Sequence, residues 1–394
     1  MKILVANLGS TSFKFRLLDM VDQTQLARGG VDRIGSVQSR CRAEIGSFTD
    51  ETTRRVSNHA DALDYCFQQL TDPEYGCLAN VNDVAGVGFK TVHGGRASGV
   101  QRVNEDVLQA MQEMSSVAPA HNPPYIRAMR LMSDRFPELP LVAAFETEFH
   151  QTIPERQRRY AIPSDWAESY QVKRWGFHGA SHRYIAERTA VVMGRDDLRV
   201  ISCHLGGSSS LCAIRNGASV STTMGMSPQT GLPQNNRVGD FDPFALPWLM
   251  ERTGKTLPEL LQTLANESGL AGLSGTSGDV RDLENAAVEG DAKAQLALEV
   301  YTTDIRRQLG GLLVELGGAD VVVFTGGIGE NSAGIRTAVC RQLEELGVVL
   351  DGRANVGAQG ECEISSPQSR VKLWVIPTNE EIIVARQVQK LLQG

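Results

Sequence analysis

The spacing of apolar residues predicts a β-hairpin at the start of the chain. Residues 2–6 and 13–19 are mostly apolar, and a Gly/Ser segment at 8–12 separates them. Two such runs joined by a glycine-containing turn are typical of antiparallel strands. The polar side chains of this hairpin are concentrated in its turn.

The same pattern returns near the middle of the chain. Residues 200–203 and 210–215 are predicted strands, 204–209 is a second Gly/Ser turn, and Asn216-Gly217 predicts a type I′ hairpin turn. A repeat at so long a period favours two domains with a common ββ plan over a solenoid, whose repeats are ~20 to 50 residues long.

Helices lie between and after these hairpins. Apolar residues recur at amphipathic helix spacing in four segments, namely 58–70, 104–114, 258–265 and 283–316. Buried strands are predicted at 321–324 and 371–376, followed by a helix at 380–392. Strands that alternate with helices predict the α/β class.

Composition and charge exclude several functions. The 39 basic and 46 acidic residues give a net charge of −7, which opposes general binding to nucleic acid or to an anionic membrane. No apolar run approaches the ~20 residues of a membrane span, and residues 3–6 are too few for a signal peptide. The seven cysteines include no CxxC pair, which favours a reduced, cytoplasmic location.

Three glycine-rich turns, each after a predicted strand, are candidate phosphate sites. They are residues 7–12 (NLGSTS), 204–209 (HLGGSS) and 325–331 (TGGIGEN). Glycine lets oriented backbone N–H groups approach phosphate oxygens closely. One such turn alone is usually an ordinary tight turn, whereas three together favour a nucleotide. Two common nucleotide-binding motifs are not matched. Leu249 stands where the Walker A motif requires its first glycine, and Ser332 stands where GxGxxG requires its last.

Six of the seven histidines lie between residues 93 and 204 and raise the alternative of a zinc site. His178 and His182 have the spacing of HExxH, but the glutamate is absent and Gly179 opposes a regular helix there. His121 and His178, in loops with Pro and Gly, are better placed to meet a ligand.

The other histidines have simpler interpretations. Structural roles are predicted for His93, His150 and His182, and a solvated surface position for His59. Four charged residues, by contrast, end apolar strands or occupy Gly/Asn loops, which favours contact with a ligand. They are Lys90, Glu146, Arg237 and Glu380.

Ten motifs in order resemble those of the acetokinase family, the acetate kinases and related short-chain acyl kinases. They run from residue 3 to about 386 and are ILVANLGSTSFKF, TVHGG, APAHNPP, FHQTIP, GFHGASH, CHLGG, RVGDFDP, SGDVRDL, FTGGIGEN and IPTNEE. The resemblance implies reversible phosphoryl transfer from ATP to a short-chain carboxylate (acetate, propionate or butyrate), giving an acyl phosphate and ADP.

The resemblance also implies the α/β fold of actin, hexokinase and the Hsp70 ATPase, in which two ribonuclease-H-like domains enclose an interdomain nucleotide cleft. The expected N-terminal domain is 1–150 with the returning helix 382–394, and the nucleotide-binding domain is 151–381. A cytoplasmic homodimer is expected, with no nucleic-acid or membrane partner.

Position by position, the resemblance implies four groups of site residues. Magnesium, or manganese, is expected at Asn7 and Glu380. The implied catalytic residues are Lys90, His121, Glu146, His178 and Arg237. The implied acyl-substrate residues are Lys90, Val92, Ala120, Phe177 and Pro228. The implied nucleotide-binding residues are Ser10, Ser12, Lys14, His204, Leu205, Gly206, Gly207, Ser208, Asp279, Val280, Arg281, Gly327, Ile328, Gly329, Glu330 and Asn331.

The chain departs from the usual family pattern at several of these positions. Lys90 stands where arginine is usual and Glu146 where aspartate is usual, which we interpret as a compensated pair of shorter cation and longer carboxylate. HLGGS at 204–208 replaces His-Leu-Gly-Asn-Gly, and QNN at 234–236 replaces Met-Gly-Thr. Ala120 stands where leucine is common, which predicts a wider acyl pocket.

Two alternatives remain open from the sequence. A non-catalytic nucleotide-binding regulator of the same fold would explain the altered catalytic positions. A metal-dependent hydrolase would instead use the histidines.

Overall fold

The protein is described by a computed structural model that covers residues 1–9, 11–119 and 121–394. These residues form two compact units. Unit 1 is Met1–Glu148 with Asn379–Gly394, and unit 2 is Phe149–Thr378. Each unit contains one mixed β-sheet with helices packed on it, as the α/β class requires. The domain boundaries given above stay predictions.

The regular elements are numbered in chain order. The strands are β1 (Lys2–Leu8), β2 (Ser12–Asp19), β3 (Thr24–Asp32), β4 (Ser39–Ile45), β5 (Phe48–Arg54), β6 (Val84–Thr91), β7 (Val100–Arg102), β8 (Leu141–Phe145), β9 (Arg199–Leu205), β10 (Ser209–Arg215), β11 (Ala218–Thr222), β12 (Val321–Thr325), β13 (Cys362–Glu363) and β14 (Lys372–Val375). The helices are α1 (His59–Leu70), α2 (Glu105–Glu113), α3 (Asn122–Arg135), α4 (Glu155–Arg158), α5 (Ser164–Ser169), α6 (Gly179–Met193), α7 (Ala245–Thr253), α8 (Leu257–Asn266), α9 (Gly269–Ser274), α10 (Val280–Val288), α11 (Ala292–Leu316), α12 (Gly326–Asn331), α13 (Ala333–Cys340), α14 (Gly352–Val356) and α15 (Glu380–Gln393).

Unit 1 is built on an eight-stranded sheet with the order β5-β4-β3-β2-β1-β6-β8-β7. The predicted N-terminal hairpin is confirmed, since β1 pairs antiparallel with β2 from Lys2 opposite Asp19 to Leu8 opposite Phe13. β1, β6 and β8 are parallel neighbours. Their carboxyl ends therefore meet at one edge of the sheet.

Unit 2 is built on a six-stranded sheet with the order β11-β10-β9-β12-β14-β13, in which β9, β12 and β14 are parallel. The predicted type I′ turn is confirmed, because Asn216 (φ 50°) and Gly217 (φ 77°) both have left-handed backbone between β10 and β11. Among the described residues, no helix is both long and apolar enough to cross a bilayer.

The predicted helices are confirmed, with boundaries set by caps. Asn58 accepts hydrogen bonds from the N–H groups of Ala60 (2.8 Å) and Asp61 (3.0 Å), so α1 begins at the next residue, His59. The long segment 283–316 forms two helices, α10 and α11, because Gly290 has left-handed backbone and Asp291 caps α11.

Two local expectations are wrong. The third glycine segment is not a turn, because β12 passes directly into the short helix α12, whose Gly326 (φ 76°) makes the bend and donates its N–H to Glu330 Oε1 at 2.9 Å. Gly179 does not prevent a helix either. It is the first residue of α6, where no preceding turn is interrupted, so His182 lies on regular helix.

Candidate active site

Three strand ends of unit 1 gather charged and polar side chains. Asn7 lies near the end of β1, Lys90 near the end of β6, and Glu146 directly after β8. Because these strands are parallel neighbours, the three residues lie at one edge of the sheet.

Glycine in β6 allows α15 to complete this group. A Cβ on Gly88 would lie 2.6 Å from Val388 Cγ2 and 2.9 Å from Val384 Cγ1, so a larger residue would force the helix away from the strand. Close packing brings Glu380, in the first turn of α15, to Lys90. We call Lys90, Glu146 and Glu380 the ion cluster.

The ion cluster contains two carboxylates and one ammonium group. Lys90 Nζ forms a close ion pair with Glu380 and lies 3.9 Å from Glu146 Oε1. Burial opposes the charge of Lys90, but the two carboxylates outweigh it and raise the pKa of Lys90 above its usual value. The predicted partnership of Lys90 with Glu146 is therefore shared with Glu380, which is nearer.

Asn7 is oriented by Tyr125. The buried Tyr125 hydroxyl accepts the N–H of Leu8 at 3.0 Å and donates to Asn7 Oδ1 at 3.1 Å. Burial raises the pKa of Tyr125 to about 12, so the hydroxyl keeps its proton at neutral pH. Ser12 and Lys14, both predicted phosphate-turn residues, lie on β2, and Lys14 pairs with Asn7 across the hairpin.

The donor atoms of unit 1 fit the chemistry of magnesium. Asn7 offers an amide oxygen and Glu380 a carboxylate, which are the oxygen ligands that this hard cation prefers. The ion cluster has one more carboxylate than ammonium, so a cation is electrostatically favoured near it. In the described part of the chain, no three or more His, Cys, Asp or Glu side chains are arranged to hold a metal ion.

Three histidines of unit 1 lie in different settings. His59 was expected at the surface, and this expectation is wrong. It is 8% exposed, and its Nε2 lies 2.9 Å from the carbonyl oxygen of Gly9, in the first glycine turn. His93 is buried and accepts the N–H of Gly95 at 3.1 Å. His121 directly precedes α3.

In unit 2, α6 and the strands β9 and β10 gather the remaining histidines. His178 precedes α6 with a left-handed backbone (φ 56°), and His182 lies one turn later. The His178 and His204 rings stack with centroids 4.3 Å apart. The four-residue spacing noted in the sequence thus places two imidazoles beside β9 and β10.

Ser210 joins two of these imidazoles. Its Oγ lies 2.8 Å from His178 Nδ1 and 2.9 Å from His182 Nε2, and His182 Nδ1 lies 2.9 Å from Ser202 Oγ. A hydroxyl has one proton, so Ser210 can donate to only one of the two rings, and the other ring nitrogen must then be the donor. The tautomers of His178 and His182 are therefore coupled. We call His178, Ser210, His182 and Ser202 the hydroxyl relay.

Burial keeps the inner imidazoles uncharged. It lowers the pKa of His182 well below the usual 6.5, and the neighbouring His150 and His204 add to this effect. Burial likewise lowers the pKa of His150 to about 4. His150 Nε2 lies 2.8 Å from the carbonyl oxygen of Phe177, which can only accept, so the proton of neutral His150 is on Nε2.

Arg237 is a half-buried cation with neutral partners. Its Nη1 donates to Gln234 Oε1 at 3.1 Å, the carbonyl of Pro228 at 3.2 Å and Ser208 Oγ at 3.3 Å. Burial lowers the pKa of Arg237, and among the described residues no carboxylate forms a salt bridge with it. An anionic ligand would supply the missing negative charge.

Many of the predicted nucleotide residues of unit 2 line one cavity of about 640 Å³. Eight predicted residues line it, namely Gly206, Gly207, Asp279, Val280, Arg281, Gly327, Ile328 and Asn331. Asp279 caps α10 by accepting the N–H of Arg281 at 2.9 Å. The second and third glycine segments are thus brought to one place by the parallel pairing of β9 and β12.

Other predicted nucleotide residues have their side chains elsewhere. Leu205 is in the core of unit 2, and Gly329 is buried in α12. Glu330 accepts the backbone N–H groups of Gly326 (2.9 Å) and Thr378 (3.3 Å), which gives it a structural position. His204 Nδ1 lies 2.8 Å from Ser181 Oγ, and Ser208 meets Arg237.

The sequence analysis missed three residues that line this cavity: Asn235, Glu284 and Ser332. Ser332 donates to Glu284 Oε1 at 2.6 Å. For Asn235 a signal existed, because the segments 204–208 and 234–236 both depart from the usual family pattern. The two departures were not connected.

The predicted acyl-substrate residues are divided between the units. Val92 is half-buried in unit 1, whereas Phe177 and Pro228 are buried in unit 2. Ala120 and the predicted nucleotide residue Ser10 lie outside the described residues. Their roles stay predictions.

Comparison with known proteins supports one family. The profile of the Acetokinase family matches residues 2–386. An acetate kinase from Clostridium botulinum is 41% identical over 396 residues, covering 99% of both chains. Crystal structures of an acetate kinase from Porphyromonas gingivalis (36% identity, 99% of both chains) and a propionate kinase from Francisella tularensis (31%, 98% of both chains) each superpose with a TM-score of 0.90. The expected fold, that of actin, hexokinase and the Hsp70 ATPase, is confirmed, and the chain belongs to the acetokinase family.

Proposed function

We propose that this chain catalyses the reversible transfer of the γ-phosphoryl group of ATP to a short-chain carboxylate, giving an acyl phosphate and ADP. The observation that carries the proposal is the match over nearly the whole chain to acetate and propionate kinases. A carboxylate oxygen attacks the γ-phosphorus, and the bond to the oxygen bridging the β- and γ-phosphorus breaks. The electron pair leaves with ADP. No proton transfer is required, since the acid is ionised at pH 7.

The residues of unit 2 support this chemistry. The glycine-lined cavity holds the nucleotide, and Arg237 offers a positive charge that no described carboxylate neutralises. We assign Arg237 and His178 to the transferring phosphoryl group, where charge in the transition state needs fixed donors. The hydroxyl relay holds the His178 ring in position through Ser210.

Unit 1 contributes cations and oxygen donors. Lys90 is assigned to the carboxylate and phosphoryl oxygens, with Glu146 holding its ammonium group and His121 in support. Asn7 and Glu380 would hold magnesium or manganese. A bound divalent cation would neutralise phosphate charge and orient the nucleotide.

The direct test is acyl phosphate formation. Purified protein with ATP and Mg²⁺ is incubated with acetate, propionate or butyrate, and the acyl phosphate is trapped with hydroxylamine. We expect acyl hydroxamate with at least one acid and none after chelation by EDTA. A protein that binds ATP but forms no hydroxamate with any of them is the regulator considered above. Activity that requires tightly bound zinc would favour the hydrolase.

The same screen tests the acyl specificity. Ala120 in place of leucine removes three carbons, and a methylene in an apolar pocket is worth ~1 to 3 kcal/mol of discrimination. We therefore expect propionate or butyrate to rival acetate in kcat/KM, and Ala120→Leu to favour acetate. Strong preference of the wild type for acetate would contradict the wider pocket and leave the kinase function intact.

We also propose a homodimer, supported by an apolar surface on α7 and α8. Phe244 is 85% exposed, Trp248 58% and Leu261 50%. Exposed aromatic and aliphatic clusters are typical of subunit interfaces. Light scattering should give twice the mass of one chain for the wild type and one mass for Trp248→Glu. Val356→Glu, at an exposed valine of α14, is the matched control. The cytoplasmic location stays a prediction.

A further inference from the structure

One carboxamide oxygen beside the nucleotide cavity lacks a hydrogen-bond partner among the described residues. Asn235 lines the cavity beside Gly206 and Gly207. Its Oδ1 is buried, and no described residue donates a hydrogen bond to it. Nearly all buried polar atoms in folded proteins have a partner, so this exception needs an explanation.

The backbone around Asn235 is fixed on both sides. Its N–H donates to the carbonyl of Gly207 at 3.2 Å, and its carbonyl accepts the N–H of Ala271 at 2.8 Å. A Cβ on Gly278 would lie only 2.3 Å from the Asn235 carbonyl oxygen, so a third segment packs closely against it. These backbone contacts therefore fix the position from which the Asn235 side chain extends.

Gly207 leaves the space that this carboxamide needs. A Cβ on Gly207 would lie 3.2 Å from Asn235 Nδ2, 3.7 Å from Cγ and 3.9 Å from Oδ1, so its three nearest neighbours are all atoms of the Asn235 side chain. The backbone of Gly207 is not left-handed, so an L-residue could adopt its conformation. The space, not the backbone angle, favours glycine here.

We interpret the two departures from the usual family pattern as one exchange. His-Leu-Gly-Gly-Ser in place of His-Leu-Gly-Asn-Gly puts glycine at 207, and Gln-Asn-Asn in place of Met-Gly-Thr puts asparagine at 235. An asparagine has been lost on one side of a contact and gained on the other. This chain therefore still has an asparagine carboxamide in the cavity, but residue 235 carries it instead of residue 207.

We propose that Asn235 is a nucleotide-binding residue of this chain, whose carboxamide Nδ2 donates to the phosphates of ADP or ATP in place of a side chain at 207. The inference rests on the proposed function, because it takes the ligand of the cavity to be a nucleotide. A nucleoside diphosphate suits the donor end of this carboxamide. Its phosphate oxygens can accept from Nδ2, which lies next to the space over Gly207.

The test is calorimetric titration with ADP at constant Mg²⁺. Removing a hydrogen bond to a charged group by Asn235→Ala should weaken ADP binding about tenfold. Asn235→Asp should bind ADP more weakly than Asn235→Ala, because its carboxylate repels phosphate. The matched control is Asn236→Ala, one residue along and outside the cavity lining, which should leave affinity unchanged.

A double-mutant cycle tests the contact with Gly207. Gly207→Ala should weaken ADP binding by displacing the carboxamide, and it should have no further effect when combined with Asn235→Ala. The exchange variant Gly207→Asn/Asn235→Gly should recover most of the lost affinity. Normal ADP binding by both Asn235 variants, or effects of Gly207→Ala and Asn235→Ala that simply multiply, would overturn the proposal.

The outcomes separate this inference from the proposed function. If the wild type forms acyl phosphate and Asn235→Ala binds ADP normally, only the role of Asn235 fails. If the wild type binds ADP in an Asn235-dependent way but forms no acyl phosphate, the kinase function fails and the binding residue stands. A wild type that binds no ADP overturns both. Thermal melting of each variant checks that the fold is intact.

Discussion

The ion cluster of unit 1 and the hydroxyl relay of unit 2 control charge in opposite ways. In the ion cluster, burial is accompanied by opposite charges in contact, and the pKa of Lys90 is raised. In the relay, burial is accompanied by serine hydroxyls, and the pKa of His182 is lowered. The first arrangement keeps Lys90 ionised, and the second keeps His182 neutral.

Arg237 shows why the difference matters for function. It is a permanent cation of unit 2, and its described partners are carbonyl and hydroxyl oxygens rather than carboxylates. Its field is therefore available to an anion, whereas the field of Lys90 is largely balanced by Glu380 and Glu146. We expect unit 2 to contribute more to phosphoryl-transfer rate than the ion cluster does.

The largest expected effect tests this ranking at Arg237. Arg237→Ala should lower kcat about 10²- to 10³-fold, the usual loss for one donor to a transition-state oxygen. ADP affinity, measured by titration, should fall much less. The control is Arg195→Ala, which removes an exposed arginine that pairs with Asp197. Equal losses in turnover and nucleotide affinity would contradict the assignment of Arg237 to the transferring group.

The second prediction concerns acid stability of the neutral region. The unfolded chain protonates His150 below its usual pKa of 6.5, whereas the folded protein keeps it neutral down to about pH 4. The contribution of His150 to the free energy of unfolding is therefore fully present above its pKa in the unfolded chain. It decreases as the pH falls towards the pKa of His150 in the folded protein. At pH 5, this single group should lower the free energy of unfolding by about 2 kcal/mol relative to pH 7.

Urea unfolding at both pH values measures this difference. His150→Gln should lower stability at pH 7, because it removes buried hydrogen bonds, but it should flatten the pH dependence between 7 and 5. An unchanged slope in the variant would show that another group causes the acid sensitivity.

The third prediction breaks the relay without touching a histidine. Ser210→Ala removes the hydroxyl that couples His178 to His182 and should lower kcat about tenfold, with ADP affinity unchanged. Ser202→Ala, one step further along the relay, should have a smaller effect. Ser210→Thr, which keeps a hydroxyl, should recover part of the rate. Equal losses of kcat in all three variants would indicate that Ser210 has only a packing role.

The smallest expected effect concerns the ion cluster. Lys90→Arg and Glu146→Asp should each lower kcat/KM when made alone. The double variant should lose less than the product of the two single losses, with a coupling of about 0.5 to 1 kcal/mol. The coupling should be modest because Lys90 Nζ is 3.9 Å from Glu146 and closer to Glu380. Strictly additive effects would show that the two departures are independent.

The sequence predicted the regular elements well because their signals are local. The first hairpin, the Asn216-Gly217 turn and α1 each depend on apolar spacing, turn chemistry or a cap within a few residues. The third glycine segment failed for a related reason, since a run of glycines does not show that Glu330 will bind the first N–H and close a helical turn.

Site residues were harder to predict when their partners are distant in the chain. Tyr125 meets Asn7 across 118 residues, and Ser210 meets His178 across 32. Nothing in the spacing of either residue indicates the other. His59 was misplaced for the same reason, because its ring contacts the carbonyl oxygen of Gly9, 50 residues earlier in the chain. The motif resemblance predicted the ligand-binding segments, and the structure was needed to find the side chains that contact them.

The hydroxyl relay also makes the protein observable. His182 is fully buried, and both of its ring nitrogens lie 2.9 Å from serine oxygens, so its N–H proton should exchange slowly with bulk water. Slow exchange with solvent is the condition under which an imidazole proton gives a resolved low-field NMR resonance. This signal would respond when a ligand changes the tautomer of His178, so unlabelled protein would report phosphoryl-group binding from inside its own core.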